Sequence, residues 1–388
     1  MNEANTFSVS ALMTKPIKSI AIIGDGLRAA LPAAYLAARC GSPDMRITVI
    51  SSQAQSQDSG HIITRPNIRR LHQLLKIPEK HILGPAKGRR LYAAKMEGKN
   101  GVVALPFGPY GKPYNGVSFL HQILCLNRNN AVSNLLKSIS DYNLNLALQN
   151  LGDDVPFVAG AEFGYIFPRL NYGNMLQHYA QNLGAKFAKS PFQELQRDSN
   201  SGRVQCIKTT DSLVEVDCIV DVMSPVKNLA GWHENVLYIP HLKSLPGVEV
   251  YSLQAAMDRM SAFMPDTGFH RAELAEYNRV AELESQLIKD MKILLHQGSQ
   301  GAEGRPTLAR KVDVFAQRGR IPTEDYEVFT GPEWMAALMS IGLVPKHYDR
   351  LADAFPAEDL QTNIEQVEKV IAVTLRSAAH KRSVSHGG

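Results

Sequence analysis

The hydrophobic and polar positions near the start of the chain alternate in a pattern typical of two strands joined by a helix. Residues 20–23 are apolar and mostly β-branched, as expected of a strand that is buried on both faces. An Ala-rich helix is predicted to begin near Leu27. A second strand covers residues 47–50 and ends at Ser51 and Ser52. This order predicts a βαβ unit with parallel strands.

The turn between the first strand and the helix has the form Gly-x-Gly-x-x-Ala. Gly24 allows the tight turn, Gly26 lets a pyrophosphate approach the backbone, and Ala29 keeps the helix close to the sheet. The helix N-terminus adds free N–H groups and the positive end of the helix dipole. Because a strand precedes this turn and a helix and a second strand follow it, the turn predicts dinucleotide binding.

Two positions depart from the usual dinucleotide-binding pattern. Ser51 replaces the acid that ordinarily ends the second strand and holds a ribose hydroxyl. A neutral hydroxyl gives a hydrogen bond about half as strong as a charged carboxylate does. Pro32 lies inside the predicted helix, where it removes one backbone hydrogen bond and is expected to kink the axis. We therefore expect the nucleotide to bind, with a weakened ribose contact.

Beyond this unit the pattern predicts strands first and mostly helices later. A strand at residues 204–209 precedes a buried strand at 216–222, which delivers Ser224 and Pro225 to the same edge of the sheet. The Gly- and Pro-rich segment 105–111 is predicted to be a loop. This order favours a doubly wound α/β fold with a helical portion packed on it. The other predicted helices cover residues 68–76, 117–125, 131–138, 172–183, 251–264, 271–295, 331–341 and 360–377.

Composition narrows the class of protein further. The 388 residues are 44% hydrophobic and 20% charged, as in a folded globular protein of one elaborated domain or two. The net charge of +5 is modest and no basic run contains interleaved aromatic residues, so nucleic acid is not an expected partner. The four cysteines form no Cys-x-x-Cys pair, which favours reduced thiols in the cytoplasm. We predict no secretory signal, no membrane-spanning segment and no metal site.

Several segments together resemble the flavin-dependent tryptophan halogenases, within the FAD-binding monooxygenase superfamily. The similar segments are the Gly24-Asp25-Gly26 turn, residues 66–79 (PNIRRLHQLLKIPE), 106–111 (PFGPYG), 164–187, the strand around Asp221, 260–278 and 329–353. They follow the family's order over most of residues 20–353. The resemblance implies FAD as the cofactor, and it implies cofactor contacts at Gly24, Gly26, Ala29, Ser51, Asp221 and Gly247.

The resemblance also implies a fold class and a division of the chain. The fold class is α/β, with a Rossmann-like FAD-binding domain of the flavin monooxygenase type. We predict a flexible N-terminus at residues 1–15 and an FAD-binding domain at 16–250, with substrate-site segments interleaved at about 77–165. A mostly helical portion is predicted at 251–378, followed by a disordered tail at 379–388.

The residues on which halogenation depends in this family are replaced here. A lysine near the flavin tunnel, which reacts with or positions hypohalous acid in the family, aligns with Leu91, and a glutamate aligns with Pro246. The family's Trp-x-Trp-x-Ile-Pro signature is missing as well. The loss of all three features argues against halogenation. An unrecognised lysine such as Lys87 or Lys95 remains an alternative source of the chemistry.

The substrate side of the family pattern is kept. In the family an indole lies between two aromatic side chains, and Phe107 and Trp334 match those positions. Aromatic rings prefer centre-to-centre spacings of about 4.5–7 Å, which suits a flat aromatic guest between two walls. The alternative interpretation is that both side chains are ordinary core residues, as large aromatic residues usually are.

The chain is also shorter than the family pattern after the strand around Asp221. The family usually carries a long insertion there, whereas residues 224–245 form only a short connection here. We expect this shortening to open one wall of the substrate site. A tryptophan side chain on another folded protein would need such an opening, and a free amino acid would gain little from it.

These features predict an FAD-dependent monooxygenase, because hydroxylation by flavin and dioxygen needs neither the halogenase lysine nor the glutamate. The combination resembles the flavoproteins that mature quinoprotein amino-acid oxidases carrying cysteine tryptophylquinone. The implied substrate is a tryptophan side chain of the precursor of a quinoprotein oxidase, with a separate flavin reductase as a second partner. Two alternatives remain open: a flavin-dependent halogenase of an indole substrate, and a non-catalytic flavin-binding maturation partner.

Overall fold

The computed structural model describes residues 15–52, 59–109, 111–127, 162–188, 190–223, 230–242 and 245–385. Three sequence predictions lie outside these residues. They are the flexible N-terminus up to residue 14, the helix at 131–138, and the placement of Ser224 and Pro225 at the edge of the sheet.

The strands of the described residues are short, from three to six residues each. They are β1 (Ser19–Ile23), β2 (Arg46–Ile50), β3 (His61–Ile63), β4 (Arg89–Leu91), β5 (Ala93–Gly98), β6 (Gly101–Pro106), β7 (Gly164–Pro168), β8 (Lys186–Ala188), β9 (Phe192–Arg197), β10 (Val204–Thr209), β11 (Leu213–Glu215), β12 (Cys218–Asp221), β13 (Gly231–His233) and β14 (Val236–Tyr238).

The long helices of the described residues lie mostly in the second half of the chain. The helices are α1 (Gly26–Cys40), α2 (Ile68–Leu74), α3 (Glu79–Leu83), α4 (Phe119–Leu126), α5 (Arg169–Asn182), α6 (Val248–Ala262), α7 (Arg271–Gln297), α8 (Pro306–Arg318), α9 (Gly331–Ser340) and α10 (Ala357–Ser385). Two 3₁₀ turns cover Gly298–Ala302 and Arg350–Ala354.

The chain divides into two compact units, of which the first contains the predicted βαβ unit. The first unit comprises Met1–Asp58, Gly173–His241 and Leu253–Ala281. Its main sheet has the order β13-β14-β12-β1-β2-β8, and β1 pairs in parallel with both β2 and β12. Strands β1 and β12 are buried along their whole length, which explains their almost continuous apolar sequences. The predictions of parallel strands at residues 20–23, 47–50 and 216–222 are confirmed.

Small residues bring helix α1 close to its neighbours. A Cβ on Gly24 would lie only 2.4 Å from Val222 Cγ2 and 3.5 Å from the Cβ of Ala29, so the turn packs tightly against the end of β12 and the start of α1. A Cβ on Gly173 would lie 3.1 Å from the backbone nitrogen of Leu27. These approaches leave no room for a larger side chain at Gly24, as the glycine pattern predicts.

The short connection after β12 extends the same sheet. Strand β14 runs parallel to β12, and β13 pairs with β14 in the antiparallel sense. Asn278 fixes this extension, because its Oδ1 accepts the backbone N–H of Trp232 at 2.6 Å and its Nδ2 donates to the Trp232 carbonyl at 3.1 Å. The described part of the connection therefore forms one edge of the sheet. The opening of a substrate-site wall stays a prediction.

The second unit holds the predicted substrate-site aromatic residues. It comprises Ser59–Tyr172, Leu242–Ser252 and Glu282–Gly388. An antiparallel sheet of order β3-β7-β4 and the β5–β6 hairpin lie in it, and β6 packs against α9. The main core of this unit includes the fully buried side chains of Trp334 and Phe315.

Most predicted helices are confirmed, with small shifts of their ends, and two local predictions are wrong. The sequence predicts a loop at Leu105 and Pro106, but these residues end strand β6, where Pro106 pairs with Ala93 at the end of the hairpin. A proline is tolerated at such a terminal strand position. The pattern also missed helix α8, which begins with Pro306 directly after the Gly-rich 3₁₀ turn.

The larger divisions of the chain also differ from the sequence prediction. Each unit takes up three separate stretches of chain, whereas the sequence analysis divides the chain once near residue 250. Helix α10 continues to Ser385, beyond its predicted end at residue 377 and into the segment expected to be a disordered tail. Within the described ranges, no helix has the length and apolar character that crossing a membrane requires.

Candidate functional site

The glycine turn lies at the carboxyl ends of β1 and β2, which is where parallel α/β sheets bind their ligands. Gly24 donates its N–H to the Ile50 carbonyl at 3.1 Å, so the turn is fixed to the end of β2. Asp25 has an extended backbone, with φ −131° and ψ 160°, and α1 begins at the next residue. That residue, Gly26, has a left-handed backbone with φ +54°, which favours glycine over any residue with a Cβ.

The side chain of Asp25 reaches the end of β2. Ser51 Oγ donates to Oδ1 of Asp25 at 2.5 Å. Ser52 donates to Oδ2 twice, from its backbone nitrogen at 3.1 Å and from its Oγ at 2.5 Å. Asp25 gives α1 no side-chain cap, so its carboxylate is committed to the two serines. The sequence analysis named Ser51 and missed Asp25, because the dinucleotide pattern leaves the middle residue of Gly-x-Gly unspecified.

Two further polar side chains hold the end of β12 in place. Arg28 is buried, and it donates from Nε to the Val222 carbonyl at 2.8 Å and from Nη2 to the Ile239 carbonyl at 3.0 Å. Asp221 accepts the backbone N–H of Met223 at Oδ1, at 2.9 Å. Both residues therefore stabilise the backbone around the turn. The flavin contact of Asp221 stays a prediction.

In the second unit, Phe107 and Leu91 share one small hydrophobic cluster with Ala94. Phe107 is 1% exposed, and its N–H donates to the Tyr92 carbonyl at 2.9 Å. The resemblance assigns Phe107 to the wall of the indole site and Leu91 to the position of the halogenase lysine. The structure brings these two positions together, and their roles stay predictions.

Trp334 lies in the main core of the second unit, with no exposed surface. Its indole N–H donates to Glu327 Oε1 at 2.9 Å, and the ring of Phe329 packs edge-on with centroids 5.9 Å apart. Within the described ranges, no ring contact joins Trp334 to Phe107. These contacts are those of a core residue, the alternative that the sequence analysis left open. The role of Trp334 as a substrate wall stays a prediction.

A buried lysine that the sequence analysis missed lies against Trp334. The Nζ of Lys311 is 5.0 Å from the centre of the indole ring and 2.6 Å from Glu327 Oε2. It also donates to the Pro322 carbonyl at 2.6 Å, and its next acceptor, Glu324 Oε1, is 3.8 Å away. Lys311 is fully buried, and nothing in the local pattern around it distinguishes it from a surface lysine of an amphipathic helix.

A second buried ion pair joins Arg65 to Glu333, and Arg65 lies beside Gly247. Arg65 Nη2 lies 2.5 Å from Glu333 Oε2, and the two side chains are 4% and 0% exposed. The guanidinium carbon of Arg65 lies 4.9 Å from the centre of the Phe329 ring. Gly247 has φ +78°, and a Cβ there would lie 2.8 Å from Arg65 Cγ. Gly247 therefore makes room for Arg65, while its predicted flavin contact stays a prediction.

The second unit also contains an open cleft of about 600 Å³. Its lining includes Arg65, Arg69, Arg70, Tyr251 and Glu327. Because Glu327 also accepts the indole N–H of a buried tryptophan, this cleft reaches the carboxylate of that cluster. Glu162 lines the cleft as well, and it pairs with Arg69, so the lining carries charges of both signs.

The family comparison matches residues 19–238 and 227–357 to the model described as tryptophan halogenase. These ranges contain both the glycine turn and the Trp334 cluster. The chain belongs to the tryptophan halogenase family. The resemblance drawn from the sequence segments is thereby confirmed. A search among curated proteins finds none that matches.

Solved structures of flavin-dependent halogenases share the fold of this family member. BrvH from Brevundimonas sp. BAL3 is 17% identical with a TM-score of 0.76, and the alignment covers 96% of this chain and 99% of that one. Xcc4156 from Xanthomonas campestris is 16% identical with a TM-score of 0.78, covering 95% and 98%. MibH, a lanthipeptide tryptophan 5-halogenase, is 13% identical with a TM-score of 0.68, covering 94% and 93%. At these identities the likeness is one of fold.

The cofactor of this halogenase-family enzyme is FAD, as the sequence analysis predicts. The residues of the glycine turn fit a pyrophosphate. The first turn of α1 contains no acidic residue, and Gly26 is partly exposed at its start. The helix N-terminus is therefore open to an anion, and Gly26 and the N-terminus of α1 would hold the phosphates. Gly24 and Ala29 serve the packing of the turn.

The two lysines that the sequence analysis considered as replacements are both exposed. Lys87 lies in a turn with φ +52°, and Lys95 lies on strand β5. Pro246, at the position of the family's glutamate, lies in the turn before α6 and is half-buried. Neither lysine is in a buried environment of the kind that surrounds Lys311.

Proposed function

We propose that this protein is a flavin-dependent halogenase that acts on the indole ring of a tryptophan. The observation that carries the proposal is the buried Lys311–Glu327 pair, whose Nζ and Oε2 are 2.6 Å apart, against the indole of Trp334. The family match over residues 19–238 and 227–357 supports the reaction class. Halogenation, which the sequence analysis kept as an alternative, is thus preferred over hydroxylation.

Lys311 is the residue that we assign to the halogen chemistry. A positive charge attracts an electronegative group more strongly in a buried environment than in water, because the effective dielectric constant is lower. Two of its N–H groups bind Pro322 and Glu327. Among the described residues, the third has no acceptor within hydrogen-bond distance, since Glu324 Oε1 is 3.8 Å away. This third N–H is the donor that would hold the halogenating oxidant. Glu327, which lines the cleft, would keep the ammonium in place.

The remaining roles of the chain are to bind and orient the indole and to exclude water. When bound and reduced, FAD would supply, together with dioxygen, the oxidising power for the reaction. The indole would enter through the arginine-lined cleft toward Glu327. A tryptophan carried by a peptide or protein is the substrate class that we favour, because the fold relative MibH is a lanthipeptide tryptophan 5-halogenase.

The test is a product assay with the full-length protein. Purified protein, FAD, a flavin reductase with its reductant, and bromide or chloride are incubated with tryptophan and with a tryptophan-containing peptide. Mass spectrometry should show replacement of one indole hydrogen by halogen, with the isotope pattern of the halide supplied. Products without halogen at every halide concentration would contradict the proposal.

Variants of two lysines sharpen this assay. Lys311→Met should abolish the halogenated product, while Lys87→Met, a change of an exposed lysine, should leave it unchanged. The FAD absorbance spectrum and the melting temperature of Lys311→Met show whether the variant is folded and loaded. Equal product from Lys311→Met and the wild type would remove Lys311 from the reaction.

Hydroxylation of a tryptophan side chain is the second candidate, and a specific observation favours it. Leu91 and Pro246 are apolar at the two positions where the resemblance places the halogenase lysine and glutamate, and Leu91 lies buried beside Phe107. In this case the product gains one oxygen atom and forms without halide. With the precursor of a quinoprotein oxidase as substrate, the matured partner would acquire the absorbance of tryptophylquinone.

The same assay, with the partner precursor as substrate, distinguishes a non-catalytic role in maturation from both reactions. Such a protein would bind FAD and the partner precursor without forming either product. We place the protein in the cytoplasm, since none of its four cysteines, all of which lie in the described ranges, forms a disulfide, as is usual in a reducing compartment. Recovery of the precursor in complex with this protein, with unmodified tryptophan in its mass spectrum, would support that role.

A further inference from the structure

We infer that Asp25 holds the adenosine ribose of FAD in place of the acid that is missing from the end of β2. In nucleotide-binding sheets of this type the ribose acid ends the second strand. Here that strand ends in Ser51, and the nearest carboxylate comes from the glycine turn. The inference rests on the FAD assignment and extends it to one specific contact.

The geometry puts the carboxylate of Asp25 where the strand-end acid would stand. Ser51 and Ser52 are the two residues that follow β2, and they donate three hydrogen bonds to Asp25 at 2.5, 3.1 and 2.5 Å. Both carboxylate oxygens are used, so neither rotates freely toward the phosphates. The serines thereby fix the direction of the charge toward the carboxyl end of β2.

This arrangement is suited to a ligand that donates hydrogen bonds. Each serine hydroxyl uses its single hydrogen on Asp25. A carboxylate offers about four lone-pair positions, of which the serines occupy three. Among the described residues, Asp25 therefore presents one remaining acceptor position together with its negative charge. A ribose 2′,3′-diol supplies two O–H donors, whereas a phosphate would be repelled.

Repulsion of the cofactor is the competing interpretation. Asp25 immediately precedes Gly26, so its charge lies near the place expected for the pyrophosphate. If the carboxylate mainly repelled the phosphates, removing its charge would tighten the binding of FAD. If it binds the ribose, removing it weakens FAD and abolishes selection for the hydroxyls. The two interpretations therefore predict opposite changes of affinity.

The test compares ADP with 2′-deoxy-ADP and 3′-deoxy-ADP as competitors of FAD, followed by flavin fluorescence. In the wild type, loss of the hydroxyl that contacts Asp25 should weaken binding about tenfold, as expected for one hydrogen bond to a charged group. In Asp25→Asn this preference should fall to about twofold, because the charge is lost. Asp25→Ala should show the same loss, which guards against a new bond made by the asparagine.

A matched control is Asp217, which contacts Ser19 at the opposite end of β1 from the glycine turn. Asp217 Oδ2 accepts the backbone N–H and the Oγ of Ser19 at 2.9 and 3.0 Å, a pattern like that of Asp25 with Ser52. Asp217→Asn should leave the preference for ADP unchanged, although it removes a similar serine–aspartate contact.

The outcomes separate this inference from the proposed reaction. An unchanged preference for ADP in Asp25→Asn, or tighter binding of FAD by that variant, would overturn the role of Asp25. Equal binding of ADP and both deoxy analogues by the wild type would overturn it as well. The halogenation assay on the wild type depends on none of these ratios, so its failure would leave the ribose contact standing, and its success would not rescue it.

Discussion

The glycine turn and the Arg65 cluster each contain a carboxylate and a glycine, but the residues of the two sites are separated very differently along the sequence. In the turn, Asp25 binds a serine 26 positions away within one βαβ unit. In the second unit, Arg65 binds Glu333 across 268 positions. The first arrangement belongs to a recognisable local motif, whereas the second exists only after the chain has folded. The residues of the nucleotide site are therefore close together in the sequence. The residues of the Arg65 cluster come together only through tertiary packing.

The two carboxylates also differ in what satisfies them. Asp25 is half-buried and receives hydrogen bonds from neutral hydroxyls and one backbone N–H. Glu333 is fully buried and pairs with a guanidinium, and its Oε1 has no hydrogen-bond partner among the described residues. Burial of a charge is costly unless a partner compensates for it. We therefore expect substitutions in the Arg65 cluster to change stability and substitutions in the turn to change binding.

The largest expected effect is the loss of stability in Arg65→Met. The substitution leaves the Glu333 carboxylate in the core without its cation, while the unbranched side chain still fits beside Gly247. Breaking a buried pair from one side costs about 3–5 kcal/mol. Chemical denaturation should show this as a lower free energy of unfolding.

Two further variants test whether the buried charge is the cause. Arg65→Met combined with Glu333→Gln should recover much of the loss, because no charge then remains uncompensated. Arg320→Met breaks an ion pair with Asp349 whose arginine is 65% exposed, and it should cost only about 0–1 kcal/mol. Equal losses from Arg65→Met and Arg320→Met would mean that burial does not distinguish the two pairs.

The sequence alone was sufficient to predict the parallel strands and the glycine turn of the first unit, because their patterns are local. Short apolar runs predicted β1, β2 and β12, an Ala-rich stretch predicted α1, and the glycine spacing located the turn, because each of these signals is local in the sequence. The resemblance of the sequence segments then gave the family and its cofactor. What the glycine pattern could not supply was Asp25, since its partners depend on how the turn faces the end of β2.

The second unit was far less predictable, for a physical reason. The sequence analysis selected Trp334 and Phe107, but it could not anticipate that Trp334 would bind Glu327 and be covered by Lys311. Lys311 belongs to helix α8, which the pattern missed, and a buried lysine has no sequence signature apart from its neighbours in the fold. Likewise, a glycine is needed at position 247 because the side chain of Arg65, from a distant segment of the chain, lies against it.

A second prediction concerns the response of the second unit to pH. His72 is buried, and its Nε2 lies 3.0 Å from the Tyr172 hydroxyl. In the part of the chain that the structure describes, its Nδ1 has no hydrogen-bond partner. Burial lowers the pKa of His72 from 6.5 to about 4. Between these values the unfolded chain binds a proton that the native chain does not, so stability is complete above about pH 6.5 and falls toward pH 4. The loss should be about 3 kcal/mol.

Urea denaturation of the wild type and His72→Phe between pH 7 and pH 4.5 measures this contribution. His72→Phe loses the contact with Tyr172 at every pH, but it should be less sensitive to acid than the wild type, because no proton is taken up on unfolding at this position. An equal decline of the two proteins with falling pH would show that His72 is not protonated on unfolding in this range.

The smallest effect expected is on cofactor affinity, and it returns to the turn. Gly26 has φ +54°, a conformation that costs a β-branched residue about 1–3 kcal/mol. Gly26→Val should relieve this strain by rearranging the helix start when the cofactor is absent, and FAD binding would have to restore the strained form. The affinity for FAD should then fall about tenfold to a hundredfold, with native secondary structure retained. Fluorescence titration measures the affinity.

Gly24→Ala provides the contrast, because its Cβ would meet Val222 at 2.4 Å and should lower the melting temperature instead. Wild-type FAD affinity in Gly26→Val would mean that the phosphates bind elsewhere than at this turn.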